Sequence, residues 1–410
     1  RNFGPRIGFA WKPLGSSATV VRGGFGIFYA HPFDSGQPAS AALGYEQSAA
    51  LNTPDNGITA PFYLKDGPPG VTATSPKLDD SFGAVAVGRN ATTAVTYFEP
   101  NRKTGYSEQF NLSVQRELPR SMVVEATFLG NISHRLPSAN LSINQIRPER
   151  LGPAATQKDR PFPQFSNVTL IAPTLGDSAY LGGVLRFEKR FAKGFSILST
   201  YTWSKFLDNT SDAGSALGVS GGPYSDYYNR RADWGPSDND IRQRLTWSSL
   251  YEVPFGKGRA HLANHPIGYL VGGWGVGSVV MMQSGPAFTV TTQTNSTNAF
   301  SAGALRADVL RSPSLAGGER TLARWFDTGA FKQPANYTFG NQGVNLLRSD
   351  AMVNFDFSIL RNFNFSESKR LQFRTEIFNA FNHPNFGVPG RVLGGAGFGV
   401  VSSSFPGRRI

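Results

Sequence analysis

The sequence predicts an all-β protein, an antiparallel transmembrane β-barrel, from three observations. Side chains alternate with period two over arms of ten residues or more, short and long connections follow one another strictly, and aromatic residues gather near both ends of the arms. The alternation is clearest in 352–382, MVNFDFSILRNFNFSESKRLQFRTEIFNAFN. Of the odd positions Val353, Phe355, Phe357, Ile359, Arg361, Phe363 and Phe365, six of seven are apolar. Of the even positions Asn354, Asp356, Ser358, Leu360, Asn362 and Asn364, five of six are polar. Successive side chains of a strand point to opposite faces, so this is a strand pattern. After a polar break at 366–370, Leu371, Phe373, Thr375 and Ile377 resume the phase against Gln372, Arg374 and Glu376. Such arms exceed the five or six residues usual in soluble sheets and match the roughly 9–11 of a tilted membrane-spanning strand.

From the first residue onward, Ile7, Phe9 and Trp11 alternate, Pro13 to Gly15 turn the chain, and Val21, Gly23, Phe25, Ile27 and Tyr29 return opposite Arg22. No sustained alternation follows over 30–104, a length that would be odd inside a compact soluble domain. Tyr106, Phe110, Leu112, Val114 and Leu118 then pair, across a turn at 119–121, with Met122, Val124, Ala126 and Phe128. A second polar stretch covers 136–178. Leu185 and Phe187 lead into the turn 191–194, and Phe195, Ile197, Ser199, Tyr201 and Trp203 lead out of it. The third long stretch is 207–240. Leu245, Trp247, Tyr251 and Val253 precede a longer turn from Pro254, and Trp274, Val276, Val280 and Met282 follow it. The fourth long stretch is 284–350. After the 352–382 pair comes a Gly-rich loop, and an eleventh strand starts at Arg408.

Ten to eleven strands with loop length sorted by end fit an outer-membrane barrel, which has short turns on one side and long loops on the other. Trp11, Phe191, Phe195, Phe365 and Phe373 lie near the short turns, while Tyr29, Tyr106, Tyr201, Trp203 and Phe381 lie near the long loops. Two aromatic belts are what the two lipid–water interfaces select. Arg22, Glu117, Glu125, Arg186, Glu188, Arg244, Glu252, Asp356, Arg374 and Glu376 all share the polar phase. Charges of both signs on one face require water or an internal plug to solvate them.

Composition excludes several alternatives. The chain has 410 residues, no cysteine and a net charge of +12. Without cysteine, disulfides and thiolate metal sites are ruled out. Lys and Arg are spread along the chain, with no dense basic tract, so the charge does not indicate nucleic acid. It suits anionic lipid headgroups instead. His31, His134, His261, His265 and His383 show no HExxH spacing. The Gly-rich runs 23–26 and 394–397 precede no helix pattern, and no G-x-S-x-G elbow supports a triad. No enzyme activity, cofactor or metal is expected. The least polar run, 267–282, contains five glycines and is expected to be a strand rather than a membrane helix.

The segments NFGPRIGFAWKP (2–13), TVVRGGFGIFYA (19–30), FNLSVQREL (110–118), RFEKRFAKGFSILSTYTWSK (186–205), DNDIRQRLTWSSLYEVPFGKG (238–258) and RLQFRTEIFNAFNHPNFG (370–387) together resemble the TonB-dependent receptors of the Oar-like barrel family. Acidobacterial members of that family carry an N-terminal carboxypeptidase-regulatory-like domain. The resemblance covers nearly the whole chain and says little about substrate. It implies a barrel of about 22 strands closed around an N-terminal plug in the outer membrane of a Gram-negative cell. Ligand is then captured by extracellular loops, and transport is driven by TonB, ExbB and ExbD. Residues 1–410 correspond to the C-terminal part of such a barrel, with the plug and N-terminal domain expected upstream. The partners implied are outer-membrane lipid and lipopolysaccharide, the plug, the TonB complex and a large or scarce nutrient: an oligosaccharide, a peptide or a metal chelate. A non-transporting barrel acting in adhesion or secretion is the alternative.

Within the third long stretch, Tyr224, Asp226, Tyr227, Tyr228, Asp233, Trp234, Asp238 and Asp240 form the candidate ligand-binding cluster. Tyr and Trp faces stack on sugars or anchor peptides, and carboxylates with oxygen-only company are Ca²⁺ chemistry. A solvated loop with packed aromatics is the competing interpretation of the same residues.

Overall fold

The computed structural model describes residues 2–15, 18–29, 60, 62–67, 94–98, 102–210, 224–256, 259–300, 305–364 and 370–410. Most of the first long stretch, part of the third and the turn at 365–369, with Phe365, lie outside the described residues. Ten strands form one antiparallel wall in chain order. They are β1 (Arg6–Trp11), β2 (Thr19–Tyr29), β3 (Tyr106–Leu118), β4 (Met122–Leu136), β5 (Gly176–Ala192), β6 (Phe195–Asp208), β7 (Gln243–Glu252), β8 (Trp274–Gln283), β9 (Met352–Asn364) and β10 (Arg370–Ile377). Eight of the ten run from 10 to 17 residues. The eleventh strand expected at Arg408 is present only as a bridge, in which Arg409 exchanges both backbone hydrogen bonds with Phe378.

The register reveals the wall's geometry. One row runs Trp11, Val21, Val114, Ala126, Leu185, Tyr201, Leu245, Met282 and Val353, each paired with the next. Trp11 ends β1 at the short-turn end, whereas Val353 lies at the start of β9, next to a long connection. The row therefore climbs the wall as it crosses it. Such stagger is what tilted barrel strands require.

The same row is apolar throughout, and its neighbours two residues away continue it. Among the described residues, Val123 is the sole buried apolar side chain on the wall strands. Ile7, Phe9, Trp11, Leu112, Phe128, Leu185, Trp203 and Phe373 are exposed instead. The other face is polar, and its charges find partners both across and along the strands. Glu125 stands opposite Arg186 in the register, with Arg186 3.6 Å from Glu125 and 2.6 Å from Glu188. Arg22 donates to Gln115 at 2.7 Å, and Arg374 pairs with Glu376. Charges that sequence alone assigns to water or a plug thus partly satisfy one another.

One expectation fails. The Gly-rich run 267–282 is a strand only from Trp274 onward, and Pro266–Val271 is a short helix, α1. Pro266 suits the first helical turn, and the His265 ring accepts from the Ile267 N–H at 3.2 Å. This helix also explains Arg361, the one charge in the apolar phase of β9. Its guanidinium donates to the Tyr269 carbonyl and lies 5.2 Å from the Trp274 ring centroid and 4.3 Å from that of Phe363.

Among the described residues, two hydrophobic cores sit in the long connections, where alternation gives no hint of them. One gathers Phe288, Val290, Ala307, Trp325, Phe326, Phe331, Leu347 and Val401 from the fourth connection and the C-terminal region. The other gathers Leu141, Ile143, Val168 and Tyr224 from the second and third. These connections make a packed cap at one end of the wall.

Candidate functional site

The segment 224–240 lies between the two cores and holds the cap together. It leaves β6 and returns to it: Gly235 and Pro236 pair with Asp208 and Leu207. Ser237 donates to the Asp208 carboxylate at 2.6 Å, and the Phe206 N–H donates to Asp240 Oδ1 at 2.8 Å. A polar group removed from water must be hydrogen-bonded or it costs free energy, and each buried carboxylate here has a named partner.

Asp226 accepts from Gln145 Nε2 at 2.7 Å and from the Tyr228 N–H at 2.9 Å. Gln145 in return accepts from the Tyr227 N–H at 2.9 Å, tying the second connection to the third. Asp233 pairs with Arg306 at 3.0 Å, with side chains 10% and 4% exposed. Arg306 also donates to the Ala232 carbonyl and to Ser225. Burial pushes the Asp233 carboxyl up from its ordinary value against the pull of Arg306, and burial lowers Arg306. Among the described residues, Asp233 Oδ2 and Arg306 Nε have no partner, so within them the pair uses half of its bidentate capacity.

Asp238 accepts from Asn345 at 2.7 Å, and Asn345 and Thr289 bond each other twice. Asp240 pairs with Arg348, which also donates to the carbonyls of Asp240 and Gly285 at 2.9 and 3.1 Å. Burial lowers Arg348, and the Asp240 charge acts against that. Tyr224 is buried in the second core, its hydroxyl 3.4 Å from the Leu175 carbonyl.

The eight candidate residues therefore divide. Asp226, Asp233, Asp238, Asp240 and Tyr224 point inward and brace the connections. Trp234 is exposed, and Tyr227 and Tyr228 are half-buried. The two tyrosine rings meet edge to face at 5.0 Å, and Arg147 lies 5.1 Å from the Tyr228 centroid. Among the described residues, no group of three or more His, Cys, Asp or Glu side chains is arranged to hold a metal ion. Gln145, Arg306, Asn345 and Arg348 are missed by sequence reasoning, because no local pattern links them to the cluster. On the polar face of the wall below the cap, a cavity of about 360 Å³ is lined by Met281, Asn354, Asp356 and Phe378 among others.

A staggered sheet with one apolar face, one polar face and its connections sorted by length defines a membrane-spanning β-barrel wall. The family model of the outer membrane beta barrel domain matches residues 1–410, and the chain belongs to that family. Its place is accordingly the outer membrane, with short turns on the periplasmic side and the cap outside. Among the described residues, no helix is long and apolar enough to cross a membrane. No curated protein matches the chain.

Solved structures resemble it in fold alone. The outer membrane transporter YddB from Escherichia coli aligns over 99% of this chain and 39% of its own, at 11% identity and a TM-score of 0.49. FpvA of P. aeruginosa, bound to a heterologous pyoverdine and iron, aligns over 99% and 32%, at 8% identity and a TM-score of 0.44. The FrpB iron transporter from Neisseria meningitidis aligns over 94% and 36%, at 9% identity and a TM-score of 0.41. The chain thus spans between 32% and 39% of the length of these three.

Proposed function

We propose that this chain forms the C-terminal part of the barrel of a TonB-dependent outer-membrane receptor of the Oar-like type. In that role it takes up a large or scarce nutrient, such as an oligosaccharide, a peptide or a metal chelate. The observation that carries the reading is the braced cap. Four buried carboxylates on one segment hold partners from two other connections, so the outward surface is organised before any ligand arrives. Rigidity of this kind lowers the ordering cost of binding, and variable connections on a fixed scaffold are where recognition is built. Trp234, Tyr227 and Tyr228 are the contact residues in this reading, and Tyr224, Asp226, Asp233, Asp238 and Asp240 position them.

The outer edges of β1 and β10 support a larger barrel. Among the described residues, β1 pairs only with β2, and β10 is joined beyond β9 only by the bridge to Arg409. An unpaired backbone edge is costly in lipid, so further strands complete the cylinder. A plug inside it and the TonB–ExbB–ExbD complex beneath it are the partners that uptake requires.

Uptake by whole cells producing the intact protein tests this. Pools of ferric chelates, oligosaccharides and peptides are offered with and without functional TonB. Accumulation of one pool only when TonB is functional is expected, and Trp234→Ala should weaken it. Binding to the cell surface without TonB-dependent accumulation would discard the transporter in favour of an adhesive barrel.

A further inference from the structure

We infer that α1 is an interfacial anchor, its apolar face lying in the phospholipid leaflet on the periplasmic side of the outer membrane. A helix of six residues does not persist alone in water. What holds this one is the outward face of the wall. Arg361, buried although it belongs to the apolar phase, donates to the Tyr269 carbonyl, and Trp274 Nε1 donates to the Leu270 carbonyl at 3.2 Å. Both donors come from the lipid-facing phase of β8 and β9, so the helix sits against the outer surface rather than under the lumen.

What the helix then presents is apolar. Ile267, Tyr269 and Leu270 are 53%, 74% and 71% exposed. They continue a surface that already faces lipid. Trp274 packs edge to face on Phe373 at 6.1 Å, and Phe373 and Leu371 are exposed on the same face. That continuity selects phospholipid as the occupant over a periplasmic protein. A short apolar helical turn at the interface, with aromatic side chains at headgroup depth, is a stable arrangement. The wall's own Arg–aromatic stack fixes its height.

Residues 1–410 hold no cysteine, so within them each introduced thiol is a single label. Fluorophores are placed on Leu270→Cys and Tyr269→Cys in the intact protein, with Phe373→Cys as the lipid-facing reference and Asn264→Cys as the aqueous one. Vesicles of phosphatidylethanolamine and phosphatidylglycerol carry bromine on the acyl chains, and iodide is the aqueous quencher. Labels at 269 and 270 should be quenched by bromolipid severalfold more than the label at 264, and shielded from iodide severalfold. Iodide access equal to that at 264 would overturn the anchor. Shielding from both quenchers would overturn it as well, since a protein surface would then cover the helix.

Discussion

Along the wall, neighbouring strands exchange backbone hydrogen bonds residue after residue. In the cap, single buried side chains hold one connection to the next. The wall is therefore redundant: losing one side chain leaves the rest of a 13-residue pairing such as that of β3 with β4 in place. The cap is not. Asp233 is held by Arg306 and Ser225, and Asp238 accepts from Asn345, each across a different part of the chain. The wall tolerates the loss of any one contact, whereas the cap depends on a few long-range pairs each staying matched.

The largest effect expected from breaking this asymmetry is Arg306→Ala. It leaves the Asp233 carboxylate buried without its cation, which typically costs about 3–5 kcal/mol. Hydrogen exchange should show loss of protection over 224–240 while β3–β6 keep theirs. Replacing both partners, as Asp233→Leu with Arg306→Met, should recover most of that protection, since a desolvated pair contributes little net stability. If the single variant stayed as protected as the parent, the brace would be unimportant.

A smaller effect separates two glycines. A Cβ on Gly340 in the cap would lie 2.0 Å from the Arg306 carbonyl oxygen and 2.7 Å from that of Ala307, both fixed backbone. Gly340→Ala should cost about 1–3 kcal/mol through overpacking. A Cβ on Gly183 in the wall meets nothing within 4 Å, and Gly183→Ala should stay within about 0.5 kcal/mol of the parent. Thermal unfolding of both variants in detergent checks the pair, and equal losses would remove the distinction. The smallest effect belongs to Arg374→Ala. Its partner Glu376 is 43% exposed and Arg374 itself 58%, so about 1 kcal/mol or less is expected.

The same asymmetry explains what the residues disclosed in advance. Alternation is local, so Val353 to Phe363 announce a strand and its faces without knowledge of any other segment. Stagger is not local, and the climb from Trp11 to Val353 emerges only once the strands are paired. In the cap, Asn345 meets Asp238 across 107 residues and Arg348 meets Asp240 across 108. No period or motif encodes such meetings, so the carboxylates looked like free ligand donors when they are engaged inside. Nor does the sequence separate exposed Trp234 and half-buried Tyr227 and Tyr228 from buried Tyr224, because composition groups all four aromatics in one loop. Helix α1 was missed for a different reason. The glycines of 267–282 weigh towards a strand, and a single Pro266 start signal is too weak to outweigh them.

The paired charges on and beside the polar face of the wall carry an electrostatic consequence. Arg186 sits between two glutamates, Arg259 meets Glu252 at 2.5 Å, and Arg374 meets Glu376. Opposite charges this close cancel most of each other's field within a few ångströms in salt. Along these strands the polar face therefore carries little net field of either sign beyond the pairs themselves.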